Sequence, residues 1–128
     1  MVAASRSDGL RITELREAGM DVMILSSEVN SAVTARAKKM GVEAVQGIGL
    51  QEKGRALREV LEQKNVRAEN VVYIGNDLND LPCFEIAGWS VAVADAYPQV
   101  VRTADYVLSK PGGYGALREL CDLILKNR

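Results

Sequence analysis

Two groups of polar residues each follow a short apolar run in the sequence. Ser26 and Ser27 come directly after residues 22–25, and the segment Gly-Asn-Asp-Leu-Asn-Asp at 75–80 comes directly after 71–74. Unbroken apolar runs of this length are typical of strands buried on both faces of a parallel sheet. Ligands of such sheets bind at the carboxyl ends of the strands, so we expect both groups to lie at one edge.

The residue types in these groups suit a phosphate group and a divalent cation. Serine hydroxyls before a helix donate to phosphate oxygens beside the free N–H groups of the helix, and a nearby lysine adds positive charge. Carboxylate and amide oxygens are ligands for Mg²⁺. The sequence therefore predicts two sets of site residues: phosphate-binding Ser26, Ser27 and Lys53, and metal-binding Asn76, Asp77 and Asp80.

Each of these residues also has a purely structural interpretation, which the sequence leaves open. Ser26 or Ser27 would serve as a helix cap, and the two aspartates as charges at a helix N-terminus. Lys53 would be a solvated surface lysine. The functional interpretation depends on all of them occurring in order at the same end of one sheet.

Apolar runs and amphipathic stretches alternate along the whole chain. This alternation predicts right-handed βαβ units in one α/β domain over residues 1–128, with a Rossmann-like parallel sheet. The predicted strands are 22–25, 44–45, 71–74, 91–94 and 106–108. The predicted helices are 9–18, 29–40, 51–64, a short helix that begins near Leu78 and stops near Gly88, and a final helix around 117–124.

Composition excludes several functional classes. Sixteen basic and seventeen acidic residues give a net charge of −1, so there is no wide basic face for nucleic acid. The chain has no histidine, which removes histidine metal ligands and histidine-activated nucleophiles. Two cysteines are too few for a disulfide framework, and no apolar run reaches membrane-spanning length. We expect a cytoplasmic protein.

The ordered polar residues resemble the motifs of the haloacid dehalogenase superfamily. Ser26 matches the motif II hydroxyl, Lys53 matches the motif III lysine, and 75–80 matches the motif IV pattern G-D-D-x-x-D. Segments 91–98, 104–107 and 112–119 resemble the capless branch of this superfamily. That branch contains sugar-acid phosphatases of the 3-deoxy-D-manno-octulosonate 8-phosphate type and the phosphatase-like module of acylneuraminate cytidylyltransferases.

The resemblance implies a three-layer α/β/α fold without a cap domain. It implies Mg²⁺-dependent hydrolysis of a sugar-acid phosphate monoester, with Asp80 orienting Lys53 and supporting the metal shell. It further implies that Gly112, Gly113 and Arg118 shape the substrate or subunit boundary. Capless members resemble tetramers, so a homo-oligomer is expected.

Two departures from the family pattern change these expectations. The motif I strand with its D-x-D-G sequence is absent, and Asp8-Gly9 instead resembles a helix entry that follows motif I in the family. Asn76 replaces a metal-binding aspartate, so Mg²⁺ should bind weakly or not at all. We therefore expect an N-terminally truncated domain that lacks the nucleophile and has no appreciable phosphatase activity. The alternatives are a non-catalytic oligomerisation module of an acylneuraminate cytidylyltransferase and a phosphate-binding domain without turnover.

The missing strand should lie at the centre of the sheet, between strands 22–25 and 71–74. Its loss would expose two strand edges and leave a slot in the core. Three outcomes follow: the flanking strands pair directly, another chain supplies a strand, or the chain is only marginally stable.

Overall fold

Six short parallel strands form one sheet in the computed structural model, which describes residues 1–5, 16, 17, 19–109 and 116–126. The strands are β1 (Val2–Ala4), β2 (Val22–Leu25), β3 (Glu43–Val45), β4 (Val72–Gly75), β5 (Trp89–Ala92) and β6 (Tyr106–Val107). Their order across the sheet is β3-β2-β1-β4-β5-β6. The predicted strands are all present, although β5 begins and ends two residues earlier than expected.

The helices connect these strands. They are α1 (Ser31–Met40), α2 (Lys53–Lys64), α3 (Leu81–Ile86), α4 (Pro98–Thr103) and α5 (Ala116–Lys126), with 3-10 turns at Ala68–Asn70 and Leu78–Asp80. The predicted helix 9–18 lies mostly outside the described residues. The sequence analysis missed α4, whose six residues span fewer than two helical turns and give a weak periodic signal.

The N-terminal residues fill the centre of the sheet. Val2 pairs with Val22 of β2 and Val72 of β4, and Ala4 pairs in the same way with Ile24 and Ile74. The expectation of an open slot is therefore wrong: β2 and β4 do not pair with each other, and the strand between them comes from this chain. A three-residue run with two alanines has low intrinsic strand propensity. We attribute the formation of β1 to its pairing with a neighbouring strand on each side.

Both faces of the sheet are covered, which confirms the three-layer α/β/α architecture. Successive residues of β1 point to opposite faces. Ala3 packs into a core cluster with Leu57 of α2 and Phe84 of α3, whereas Val2 belongs to a second cluster with Leu120 of α5. Strands buried on both faces account for the unbroken apolar runs in the sequence.

Helices of the described part of the chain are all too short or too polar to cross a membrane.

Candidate active site

Asp80 is the centre of a buried hydrogen-bond network at the carboxyl edge of the sheet. Its carboxylate is fully buried and accepts four hydrogen bonds. Oδ1 accepts from Lys53 Nζ at 3.0 Å and from the Tyr73 hydroxyl at 2.7 Å. Oδ2 accepts from the backbone N–H groups of Asn76 at 3.0 Å and Asp77 at 3.1 Å. This arrangement supports the expected role of Asp80 as the group that orients Lys53.

The local sequence explains why Asp80 points inward. Asp77 begins the 3-10 turn Leu78–Asp80 with a capping box, in which its side chain and that of Asp80 bond backbone N–H groups reciprocally. Gly75 permits the close approach of the carboxylate, because a Cβ atom at Gly75 would lie 2.8 Å from Asp80 Cβ. The turn therefore requires glycine before it and an aspartate at its end.

Lys53 reaches this network from the first residue of α2. Its side chain is 4% exposed, so it is not the solvated surface lysine of the structural interpretation. The neighbouring Gly54 lies against α3, where an added Cβ would be 2.9 Å from Pro82 Cβ. This close packing of two helices brings the lysine beneath the loop that follows β4.

Burial raises the pKa values of two groups near Asp80, the Tyr73 hydroxyl and the Cys83 thiol. Burial, and then the negative charge of Asp80, raise the pKa of Tyr73 well above its ordinary value near 10.0. Burial likewise raises the pKa of the Cys83 thiol to about 11. Both groups therefore stay neutral at physiological pH, and the tyrosine remains a hydrogen-bond donor to the carboxylate.

A second contact joins the loops after β2 and β4. Asn79 Nδ2 donates to Ser27 Oγ at 3.2 Å, across 52 residues of sequence. Asn79 Oδ1 is buried and has no hydrogen-bond partner among the described residues. Because Asn79 precedes Asp80, this contact connects the predicted phosphate-binding loop to the Lys53 network.

Ser26 has a different environment from Ser27. Its Oγ accepts a hydrogen bond from the Glu28 backbone N–H at 3.1 Å, and its own backbone N–H bonds the Val45 carbonyl. This is a local turn before α1 and not a helix cap, since the side chain that accepts from the first turn of α1 is that of Asn30, bonded by the Ala32 N–H at 2.9 Å. Of the two serines, Ser27 is the one whose side chain contacts the loop after β4.

Ser5 completes the site, and the sequence analysis missed it. Its hydroxyl donates to Asn76 Oδ1 at 3.2 Å, and its backbone N–H bonds the Ile74 carbonyl. Ser5 is 7% exposed and directly follows the central strand β1. The available signal was a serine immediately after a short apolar run, which is also the pattern of Ser26 after β2.

The structure thus connects most of the predicted site residues through direct contacts. Lys53, Asn76 and Asp77 each bond Asp80 directly, and Ser5, which was not predicted, bonds Asn76. Ser27 bonds Asn79, the chain neighbour of Asp80. Lys53 uses one of its three N–H protons on Asp80, and Ser27 keeps its hydroxyl proton. These are donors for an oxyanion. Gly112 and Gly113 lie outside the described residues, as does the side chain of Arg118.

Metal-ligating side chains do not cluster among the described residues. No group of three or more His, Cys, Asp or Glu side chains that could hold a metal occurs among them. Both oxygens of Asp80 are occupied, and Asn76 Oδ1 accepts from Ser5. Asp77 is exposed, and its carboxylate accepts from the Leu78 N–H at 2.6 Å. The ligand roles of Asn76, Asp77 and Asp80 gain no support from this geometry and stay predictions.

Known proteins are similar to this chain in both sequence and fold. A family model for haloacid dehalogenase-like hydrolases matches residues 47–117. The 3-deoxy-D-manno-octulosonate 8-phosphate phosphatase of Haemophilus influenzae is 40% identical over 119 residues, which are 93% of this chain and 66% of that protein. The chain therefore spans slightly less than two thirds of the length of this relative.

Two solved structures are similar throughout the described fold. A protein from Streptomyces avermitilis named as a HAD family hydrolase is 46% identical, with a TM-score of 0.84 over 92% of this chain and 67% of its own. The 3-deoxy-D-manno-octulosonate 8-phosphate phosphatase of Moraxella catarrhalis, in complex with magnesium, phosphate and the sugar acid, is 27% identical. Its TM-score is 0.88, over 99% of this chain and 86% of its own. This chain belongs to the haloacid dehalogenase-like hydrolase family.

Proposed function

We propose that the pocket around Lys53 binds the phosphate group of a sugar-acid phosphate monoester, and that these 128 residues do not hydrolyse it. The observations that support binding are the buried Lys53–Asp80 contact and the hydrogen bond from Asn79, the residue before Asp80, to Ser27 on the loop after β2. Lys53 and Ser27 supply donors to the phosphoryl oxygens, with Ser26 beside Ser27 on the loop after β2. The substrate class follows from the relatives, two of which are named for 3-deoxy-D-manno-octulosonate 8-phosphate.

The residue at the end of the central strand supports the absence of turnover. Ser5 stands there, and its hydroxyl donates to the amide oxygen of Asn76. A serine becomes a nucleophile when a neighbouring base takes its proton, and an amide oxygen is not such a base. The chain also has no histidine. Within residues 75–80, both oxygens of Asp80 already accept hydrogen bonds and Asp77 is exposed, so Mg²⁺ binds weakly or not at all in this proposal.

Calorimetry and phosphate release test this proposal together. The purified chain is titrated with 3-deoxy-D-manno-octulosonate 8-phosphate and with the unphosphorylated sugar acid. We expect binding of the phosphorylated compound only, weakened by Ser27→Ala, with no phosphate release above the blank. Equal affinity for both compounds would overturn the binding assignment, and Mg²⁺-dependent release that is lost in Asp80→Ala would overturn the assignment of inactivity.

A homo-oligomer, with a tetramer as the expected form, is a second part of the proposal. Four large apolar side chains are exposed on the loops that follow β2 to β5, and all four loops lie at the carboxyl edge: Val29, Leu50, Leu78 and Tyr97. Light scattering after size exclusion should give four times the 13.9 kDa chain mass, and Leu50→Glu should reduce it. A single-chain mass at every concentration would contradict this part.

The second candidate function is a non-catalytic oligomerisation module of an acylneuraminate cytidylyltransferase. The neutral Ser5–Asn76 pair favours it, since such a module needs no cation site. An oligomer that binds no sugar-acid phosphate would support this candidate over phosphate binding. For either function we propose a cytoplasmic location, where the buried free thiol of Cys83 stays reduced.

A further inference from the structure

We infer that Ser5 and Asn76 make this pocket independent of divalent cations, so that a phosphate group binds there without Mg²⁺. This inference rests on the proposed function and gives a reason why phosphate binding in this site would not require a metal. Ser5 lies at the end of the central strand, and Asn76 lies at the end of the neighbouring strand β4. Their side chains form a direct hydrogen bond of 3.2 Å.

The hydrogen bond uses the hydroxyl proton of Ser5 and a lone pair of the Asn76 amide oxygen, so that lone pair is not available to a cation. Asn76 Oδ1 is the acceptor, so one of its lone pairs points at Ser5. Ser5 is 7% exposed and its backbone N–H bonds Ile74, which holds the hydroxyl in place. Neither residue carries a charge that would repay the dehydration of Mg²⁺, an ion that gives up its water reluctantly.

The charges of the surrounding groups favour an anion. Asp80 is neutralised by Lys53 and by three further donors, so its carboxylate offers no free oxygen. Lys53 retains two N–H protons that no carboxylate of this network uses. Two carboxylates in place of Ser5 and Asn76 would repel a phosphate and would need a cation between them. Because Ser5 and Asn76 are neutral, they do not repel the phosphate and no cation is needed between them and the phosphate.

The related Moraxella catarrhalis structure shows that a protein with this fold can hold magnesium together with phosphate. That structure superposes with a TM-score of 0.88 and contains magnesium, phosphate and the sugar acid. The same architecture in this chain, with Ser5 and Asn76 at two adjacent strand ends, gathers no cluster of acidic residues among those described.

Phosphate titrations with and without Mg²⁺ test the inference on the wild-type chain. Inorganic phosphate is titrated by calorimetry in excess EDTA and again in excess Mg²⁺. We expect the two dissociation constants to agree within about twofold, which is well under 1 kcal/mol. Binding only with Mg²⁺, or about tenfold tighter with it, would overturn the inference and the weak Mg²⁺ binding proposed above, while leaving the assignment of phosphate binding intact. Absence of phosphate binding under both conditions would overturn the proposed function first.

Charge substitutions test the role of the pair. In Ser5→Asp with Asn76→Asp, we expect the melting temperature to fall in EDTA and to rise again with Mg²⁺, whereas the wild type does not respond. If the double variant does not fold, Asn76→Asp alone keeps the side-chain shape and should show a smaller response of the same sign. Gln63→Glu, on the exposed side of α2, is the control for one added charge. An equal Mg²⁺ response in the wild type would overturn the inference.

Discussion

Lys53 Nζ lies 3.0 Å from Asp80 Oδ1, and both side chains are buried, with 4% and 0% of their surface exposed. The pair joins the first turn of α2 to the turn that follows β4. A buried ion pair is kept in place by its further hydrogen bonds, and Asp80 has three of them. Loss of either partner would leave a buried charge without compensation, so this pair controls both the stability and the shape of the site.

Asp80→Asn should destabilise the chain strongly. The substitution keeps the side-chain size but leaves the Lys53 ammonium buried without its counter-charge. We expect the free energy of unfolding to fall by about 3–5 kcal/mol, measured by urea denaturation. Glu69→Gln is the control, because its ion pair with Arg67 is exposed and should contribute at most about 1 kcal/mol. Similar losses of stability in both variants would show that burial does not increase the contribution of the Lys53–Asp80 pair.

Tyr73→Phe should test the hydrogen bond behind Asp80. Phenylalanine keeps the ring and its edge contact with Phe84 but removes the 2.7 Å bond to the carboxylate. Hydrogen bonds to charged groups contribute about 1.5–3 kcal/mol, and we expect a loss of that size in urea denaturation. Tyr97→Phe removes a hydroxyl from a side chain that is 56% exposed and should be nearly neutral. If Tyr73→Phe also leaves the free energy of unfolding unchanged, the hydrogen bond from Tyr73 to Asp80 does not stabilise the fold.

Gly75→Ala should disturb the site more than its small size suggests. The added methyl group would lie 2.8 Å from Asp80 Cβ, so the carboxylate must move away from Lys53. We expect a loss of about 1–3 kcal/mol in stability together with weaker phosphate binding, measured by denaturation and calorimetry. Gly49→Ala is the control, since its methyl group would meet only the flexible Glu52 side chain at 3.2 Å. Unchanged phosphate binding in Gly75→Ala would show that Asp80 does not position the ligand site.

Stability should decline in alkali partly because of Cys83. In the folded chain the pKa of this buried thiol is about 11, against an ordinary value of 9.0. Below pH 9 the thiol is neutral in both states and has no effect on the pH dependence. Between pH 9 and 11 the unfolded chain loses the proton that the folded chain retains, so stability falls by about 1.4 kcal/mol per pH unit.

Cys83→Ala isolates this contribution. The variant should be less stable than the wild type at pH 8, and the difference between the two should shrink as the pH rises from 9 to 11. Denaturation curves at several pH values measure it. Above pH 10 both proteins should still lose stability, because the pKa of Tyr73 is also raised in the folded chain. A constant difference at every pH would mean that the thiol ionises equally in both states.

Much of the fold follows from local sequence patterns. The runs at β2 and β4 are unbroken because both faces of those strands are covered. The apolar residues of α2 recur at helical spacing because one face of that helix packs into the core. The polar residues directly after these strands had to lie at one edge of a parallel sheet. The positions of Ser27 and Asp80 after β2 and β4 were therefore enough to predict that they lie at the same edge, whereas their roles in a site with Lys53 stay predictions.

Tertiary structure alone decided what occupies the centre of the sheet and what each site residue does there. Val2–Ala4 is too short and too rich in alanine to predict a strand, and it becomes one because β2 and β4 both offer free backbone partners. That placement brings Ser5 to Asn76 across 71 residues, a contact without any local pattern. Residue types and spacing determined which chemistry was available. Long-range packing determined which oxygen atoms face protons and which remain for a ligand.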